Sequence, residues 1–267
     1  MTSIGAWLID NQDLDRFEAE LLMTQVTGFG RAQILSQPDR KVEPVQLSQL
    51  NELAAQLRRG KPYAYIVGEQ EFWSLPFHVS PAVLIPRPET ELLVELVLEH
   101  ASEGANILEL GTGSGAIAVS LAHARPDLHL TATDISTDAL DVAERNSRRH
   151  GTQIQFVHSN WFESLNGRWD IIVSNPPYIA EGDPHLPALS WEPTGALVAG
   201  DGLGAFQKIV ATCPTHMREH GRLFLEHGYA QASQVKMLLQ QHGFTACESY
   251  PDLAGILRVS AGLWSTK

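Results

Sequence analysis

The chain has 267 residues, 43% of them hydrophobic and 19% charged, a balance that sustains a full-sized core and excludes both an intrinsically disordered chain and a small disulfide-stapled scaffold. Nineteen Lys and Arg against 31 Asp and Glu leave a formal charge of -12, so a nucleic-acid partner would approach against a repulsive mean field, and no direct nucleic-acid partner is expected. Cys213 and Cys247 stand without Cys-x-x-Cys or histidine-rich ligand spacing, so neither a disulfide framework nor a metal site is indicated and a reducing cytoplasm fits.

The first residues, MTSIGAWLIDNQDLD, carry no basic residue before Arg16, and no later apolar run reaches the roughly 18 residues that span a bilayer. A soluble, unexported protein without a membrane partner is expected. Leu14, Phe17, Leu21 and Leu22 form one helical stripe, and Leu50, Leu53, Ala54 and Leu57 form another. Gly28 and Gly30 interrupt the first pattern, and Arg59-Gly60-Lys61-Pro62 ends the second. From Tyr63 to Val79 aromatic and β-branched residues surround Gly68 and Ser74-Leu75-Pro76, the composition of a hairpin. Residues 1–75 therefore read as a small helical domain with the start of a linking hairpin, and residues 76–267 as a second, larger domain.

From Ile107 the pattern changes to short apolar runs alternating with helical stretches. The runs are Ile107–Leu110, Leu128–Thr133, Ile154–Val157, Asp170–Val173 and Arg222–Leu225. Such alternation predicts a parallel sheet with helices on both faces. Two final runs, Thr245–Tyr250 and Gly255–Ser260, leave no room for a crossover helix and are expected to pair antiparallel at the sheet's edge. The fold class is thus α/β, a doubly wound, seven-stranded mixed sheet. Ligands of such sheets bind beyond the carboxyl ends of the strands, where the strand order reverses.

Four segments fall at those strand ends. Glu109-Leu-Gly111-Thr112-Gly113-Ser114-Gly115 leads from the first run into the helical pattern Ala116–Ala122. Its glycines allow a tight turn and close approach of a ligand to the main chain, although the third glycine comes one residue early for the dinucleotide fingerprint, which disfavours an oxidoreductase. Asp134 ends the second run, where a carboxylate can accept two hydrogen bonds from a ribose diol or cap the following helix, a task Ser136 and Asp138 can already perform. Asn160-Trp161-Phe162 follows the third run; its aromatic face can stack on an adenine ring or close the core, and taken alone it reads as core. Asn175-Pro176-Pro177-Tyr178 follows the fourth. The two prolines set the local φ values and hold the Asn175 side chain and the Pro176 carbonyl as a rigid pair of acceptors, a geometry suited to a planar NH₂ group.

Together, the Glu-x-Gly-x-Gly-x-Gly loop, the strand-end Asp134 and Asn175-Pro-Pro-Tyr178 resemble class I methyltransferases that methylate a planar nitrogen. Over nearly its whole length the chain resembles the peptide chain release factor glutamine methyltransferase family, also called HemK or PrmC. Further matches are Pro62-x-x-Tyr65-Ile66-x-Gly68, Phe72-Trp73 through Phe77-x-Val79, Val83-Leu-Ile-Pro-Arg87-Pro-Glu-Thr-Glu91, Glu192-Pro-x-x-Ala196-Leu197 and Asp201-Gly-Leu203. Ser74 stands where the family pattern leads one to expect glycine, which puts the shape of that turn in question.

The resemblance implies S-adenosyl-L-methionine as cofactor, leaving S-adenosyl-L-homocysteine, and Glu109, Gly111, Thr112, Gly113, Ser114, Gly115, Asp134, Trp161 and Asn175 as the residues that hold it. It implies Asn175, Pro176, Pro177 and Tyr178 at the substrate, with Asn175, Pro176 and Tyr178 catalytic. The implied reaction is methylation of the glutamine side-chain nitrogen in the Gly-Gly-Gln motif of class 1 release factors, and the implied task of the helical domain is to dock the release factor. Arg87–Glu91 borders the cofactor pocket by the same resemblance, whereas its residues alone give only a helix start with Pro88 and first-turn carboxylates. The 11 histidines form no acid, base or nucleophile constellation. A ribosomal protein, or amino groups of adenine or cytosine reached by base flipping, remain alternative substrates of the same chemistry.

Overall fold

A computed structural model describes residues 2–265, and the chain divides at Gly68/Glu69 into two compact units. The first unit holds α1 (Ile4–Asp10), α2 (Arg16–Thr27), α3 (Arg31–Ser36), α4 (Pro44–Arg58) and α5 (Tyr63–Val67). Asp15 starts α2 by accepting the Phe17 and Glu18 N–H groups at 2.9 and 3.0 Å. Ile4, Trp7, Leu22, Met23, Ile34 and Leu50 form its core. Phe17 departs from the predicted stripe: it is half exposed, with the Arg31 guanidinium over its ring. Glu20 is buried and anchors α2 to α3 by ion pairs to Arg16 and Arg31 at 2.7 and 2.8 Å.

Two sequence expectations are corrected here. Tyr63–Val67 is a helix rather than part of a hairpin: Pro62 presets the first turn, Ala64 and Tyr65 are buried, and Gly68 closes it in the left-handed region (φ 77°) with its N–H on the Ala64 carbonyl at 2.8 Å. The division at Gly68/Glu69 also precedes the expected 75/76, because the hairpin β1 (Glu69–Phe72) and β2 (Leu75–His78) buries Phe72 and Phe77 in the core of the second unit. Trp73 and Ser74 form the two-residue turn with φ 53° and 58°, the pattern of a type I′ hairpin without a glycine. Glu91 steadies it by accepting the Trp73 N–H at 2.7 Å.

The second unit continues with α6 (Glu91–His100), β3 (Asn106–Leu110), α7 (Ala116–Ala124), β4 (His129–Asp134), α8 (Thr137–His150), β5 (Ile154–His158), β6 (Trp169–Ser174), α9 (Gly204–Thr212), β7 (Met217–Glu226), α10 (Ala232–Gln241), β8 (Thr245–Pro251) and β9 (Leu257–Leu263). The strands form one seven-stranded sheet in the order β5-β4-β3-β6-β7-β9-β8, parallel from β5 to β7 and antiparallel at β9 and β8. The fold is therefore the doubly wound mixed sheet the apolar runs predict. The last strand begins at Leu257, later than Gly255, because Asp252 ties the Ala254 and Ile256 N–H groups into a turn that Gly255 completes.

The period of two along each strand divides the core. Ile107, Ile171, Val173 and Phe224 face α6 and α7, while Leu108, Leu110, Ile172 and Leu225 face α9 and α10. The chain runs outward through β3, β4 and β5 and then returns to place β6 on the other side of β3. The strand order thus reverses between β3 and β6, and the site lies at their carboxyl ends. Among the described residues, no helix is long and apolar enough to cross a membrane.

Candidate active site

A cavity of about 420 Å³ opens where β3, β4, β5 and β6 end. Its floor is the loop between β3 and α7. Gly111, Gly113 and Gly115 all take positive φ there (73°, 54° and 80°), a conformation that L side chains rarely adopt. Thr112 anchors the loop twice: its N–H reaches the Thr133 carbonyl at 2.8 Å and its hydroxyl reaches Glu109 at 2.7 Å. A Cβ on Gly113 would meet nothing within 4 Å, so this stretch of main chain lies bare to the cavity it lines.

Gly115 has a different task and does not line the cavity. A Cβ there would stand 3.1 Å from the Ala143 Cβ and 3.4 Å from Val119, so the missing side chain lets α8 pack against the start of α7. Gly115→Ala is expected to lower stability by about 2 kcal/mol through left-handed strain and overpacking. Denaturant unfolding checks this, and a loss below about 0.5 kcal/mol would contradict the packing role.

Glu109 is buried at the end of β3, and its Oε2 accepts the Thr112 hydroxyl at 2.7 Å and the Ala118 N–H at 3.0 Å. Burial, more than the nearby Asp134 charge, pushes its carboxyl up to about 8. Asp134 lines the same cavity. Its Oδ2 accepts the Gly113 N–H and its Oδ1 the Ser136 N–H, both at 2.9 Å. It therefore shapes the glycine loop, while each oxygen keeps capacity for a second donor. Ser136 caps α8, as its position predicts, by accepting the Ala139 N–H at 3.2 Å.

Trp161 belongs to both cavity and core. It lines the wall and packs against the buried cluster around Leu110 and Phe162, and a Cβ on Gly111 would touch its ring at 3.9 Å. Phe162 is buried and stacks on His216 with centroids 4.7 Å apart.

Asn175 follows β6 directly and lines the cavity together with Pro177. Its Nδ2 donates to the Thr90 hydroxyl at 3.1 Å. Pro176 is buried and Tyr178 packs against the core, and neither is part of the cavity wall. Burial, with the Glu226 carboxylate beside it, holds the Tyr178 phenol proton far above its ordinary range. The sequence motifs thus converge on one cavity, except for Gly115, Pro176 and Tyr178, which stand just outside its wall.

The Arg87–Glu91 run borders the cavity as the resemblance implies, and its partners emerge only in three dimensions. Thr90 and Arg87, from the run after Ile85, line the cavity, and Arg87 pairs with buried Glu192, which also accepts the Ile85 N–H at 3.0 Å. Asn146 of α8 bonds both the Ser114 carbonyl at 2.8 Å and the His78 carbonyl at 2.9 Å, tying the glycine loop to the hairpin. Glu226 ends β7 beside β6, and its Oε2 is buried without a hydrogen-bond partner.

Comparison with known proteins agrees with this geometry. The PrmC N-terminal domain model matches residues 8–68, and the Methyltransferase small domain model matches residues 88–190. The methyltransferase of Pyrococcus furiosus has the same fold, with a TM-score of 0.57 at 18% identity over 81% of this chain and 100% of that one. The Release factor glutamine methyltransferase of Neisseria gonorrhoeae is 42% identical over 93% of this chain and 93% of its own length. That of Bordetella pertussis is 44% identical over 96% and 97%. With identity of this level over more than nine tenths of both chains, the chain belongs to the release factor glutamine methyltransferase family.

Proposed function

We propose that the chain methylates the side-chain amide nitrogen of the glutamine in the Gly-Gly-Gln motif of class 1 peptide chain release factors, using S-adenosylmethionine. The observation that carries this reading is a carboxamide, Asn175, held by Thr90 on the wall of a glycine-floored cavity, in a chain of this family.

The cavity residues fit the cofactor. Bare main chain at Gly113 admits close approach, Asp134 offers acceptors to a ribose diol, Trp161 presents a ring face, and Glu109 supplies a carboxylate for a cationic amine. Bound S-adenosylmethionine would supply a strongly electrophilic methyl carbon on its sulfonium sulfur. The chain itself has to orient a poor nucleophile, since the amide lone pair is delocalised into its carbonyl.

Asn175 Oδ1 accepts one N–H of the substrate amide from the cavity wall, the Pro176 carbonyl, just outside that wall, accepts the other as the amide seats, and the proline pair keeps the two acceptors in fixed relation. Tyr178 stiffens this corner from the core side, where it packs. No side-chain base is required, because the nitrogen becomes acidic only as the new bond forms and water can then take the proton. The helical first unit docks the body of the release factor.

The test offers full-length release factor, ribosomal protein and DNA side by side to the full chain and to a chain beginning at Glu69, with peptide mass spectrometry as readout. One methyl group on the Gly-Gly-Gln glutamine is expected from the full chain. The shortened chain is expected to bind cofactor normally and to methylate the factor about tenfold more slowly or worse. Methyl transfer to ribosomal protein or DNA alone would overturn the substrate assignment, and undiminished turnover by the shortened chain would overturn docking.

A further inference from the structure

The prolines that stiffen the amide corner also deprive it of bonds, because neither Pro176 nor Pro177 has an N–H to give. The corner is therefore held from its two ends. Upstream, β6 lies between β3 and β7, and Asn175 donates to the Thr90 hydroxyl. Downstream, the Tyr178 carbonyl accepts Gln231 Nε2 at 3.1 Å, and the same nitrogen donates to the Gly202 carbonyl at 3.0 Å. Gln231 Oε1 accepts the Gly228 N–H at 2.9 Å. Two carbonyls on one side and an N–H on the other leave this carboxamide a single orientation. Three segments thus converge on one half-buried side chain: the corner, the Asp201-Gly-Leu203 turn and the turn after β7. The approach demands glycine twice. A Cβ on Gly202, whose φ is 84°, would stand 2.8 Å from the Tyr178 carbonyl oxygen and 3.0 Å from Gln231 Nε2, and one on Gly228 would stand 3.0 Å from Gln231 Oε1 and 3.5 Å from the Tyr178 ring.

We propose that Gln231, acting through the Tyr178 main chain, is a positioning residue that fixes the direction of the Asn175 and Pro176 acceptors for methyl transfer. The inference rests on the roles of Asn175 and Pro176 given under Proposed function. The Pro176 carbonyl stands two peptide units before the Tyr178 carbonyl, and the ring of Pro177 locks φ between them. A shift of the Tyr178 carbonyl is therefore passed back to the Pro176 carbonyl rather than absorbed on the way. The loop that leaves the corner closes on the same point: the Ile179 N–H reaches the Leu197 carbonyl at 2.9 Å, and the Ala199 N–H returns to the Ile179 carbonyl at 3.1 Å. Pro193, Gly195 and Ala196, just before that closure, line the cavity. Gln231 itself does not line it, so replacing Gln231 leaves the cavity's own side chains in place. What is lost is orientation of the substrate amide, which reads in kcat and not in cofactor affinity.

The experiment measures kcat, the KM for full-length release factor and, by calorimetry, cofactor affinity for Gln231→Glu, Gln231→Met and Asn175→Ala. Glutamate keeps the size and the acceptor of Gln231 but has no N–H and sets a negative charge against two carbonyls, whereas methionine keeps only the length. For Gln231→Glu, kcat is expected to fall about tenfold or more, and for Gln231→Met about fivefold, with cofactor affinity and the KM for release factor within about twofold of the parent. If Gln231→Glu does not fold, Gln231→Met decides by the same criteria. Unchanged kcat in the Gln231 variants, with Asn175→Ala inactive, overturns the positioning role and leaves the Asn175 assignment standing. Full activity of Asn175→Ala overturns both. A loss of cofactor affinity that parallels kcat, or a raised KM at unchanged kcat, assigns Gln231 to structure or docking and overturns the inference.

Discussion

Asn175→Ala is expected to lose methyl transfer by about a thousandfold while binding S-adenosylmethionine as the parent does. The backbone at this corner does not depend on the asparagine. The residue before a proline is confined to extended conformations, which alanine adopts without strain, and β6 remains clamped between β3 and β7. What disappears is one of the two acceptors for the substrate amide, together with the bond to Thr90. An amide nitrogen with one N–H unsupported samples many orientations, and few of them align its lone pair with the methyl group. Single-turnover transfer to full-length release factor, set beside calorimetric cofactor binding, separates the two effects. Turnover within about tenfold of the parent would refute the assigned role.

The parts legible in sequence are those in which one segment carries its own signal. β3, β4 and β6 read as apolar runs because they are covered on both faces, and the glycine loop stood out because three positive-φ positions crowd into five residues. Asn175-Pro-Pro-Tyr178 was recognisable because two prolines at a strand end have few bland explanations. What could not be read depends on sheet order. Thr90 and Asn175 lie 85 residues apart, and Glu226 comes to the neighbouring strand end only because β7 lies beside β6. Tyr63–Val67 reads as part of a hairpin because Ile66 and Val67 carry a strand-like composition, while the buried face of Ala64 and Tyr65 makes the turn helical. Asp134 posed its alternatives too simply. It braces Gly113 and Ser136 with its two oxygens and still reaches the cavity, so a structural task and a binding task coexist in one carboxylate.

Glu109→Gln is expected to stabilise the cofactor-free protein at pH 8 and to weaken cofactor binding about a hundredfold. The opposite signs have one cause. Glu109 is 1% exposed, and its carboxyl is pushed from 4.5 up to about 8, chiefly by burial. The folded state therefore holds a proton that the unfolded state releases, so this group's contribution to stability is full below about 4.5 and is lost progressively as pH rises toward 8. The loss amounts to about 1.4 kcal/mol for each unit by which the two states differ. Glutamine has no such proton to lose, and its Oε1 can still accept the Thr112 hydroxyl and the Ala118 N–H. Melting curves for the parent should thus fall between pH 5 and pH 8 relative to those of the variant, and the variant should be the more stable by up to about 4 kcal/mol at pH 8. Binding runs the other way. A cationic amine beside Glu109 draws out the ionised form, so the parent releases a fraction of a proton on binding at pH 7, and the variant has neither that charge nor that proton. Calorimetry in two buffers of different ionisation enthalpy reads the release directly. Equal proton release by parent and variant, or a variant less stable than the parent at pH 8, would show that the carboxylate at the end of β3 is a structural acceptor and not the cofactor's counter-charge.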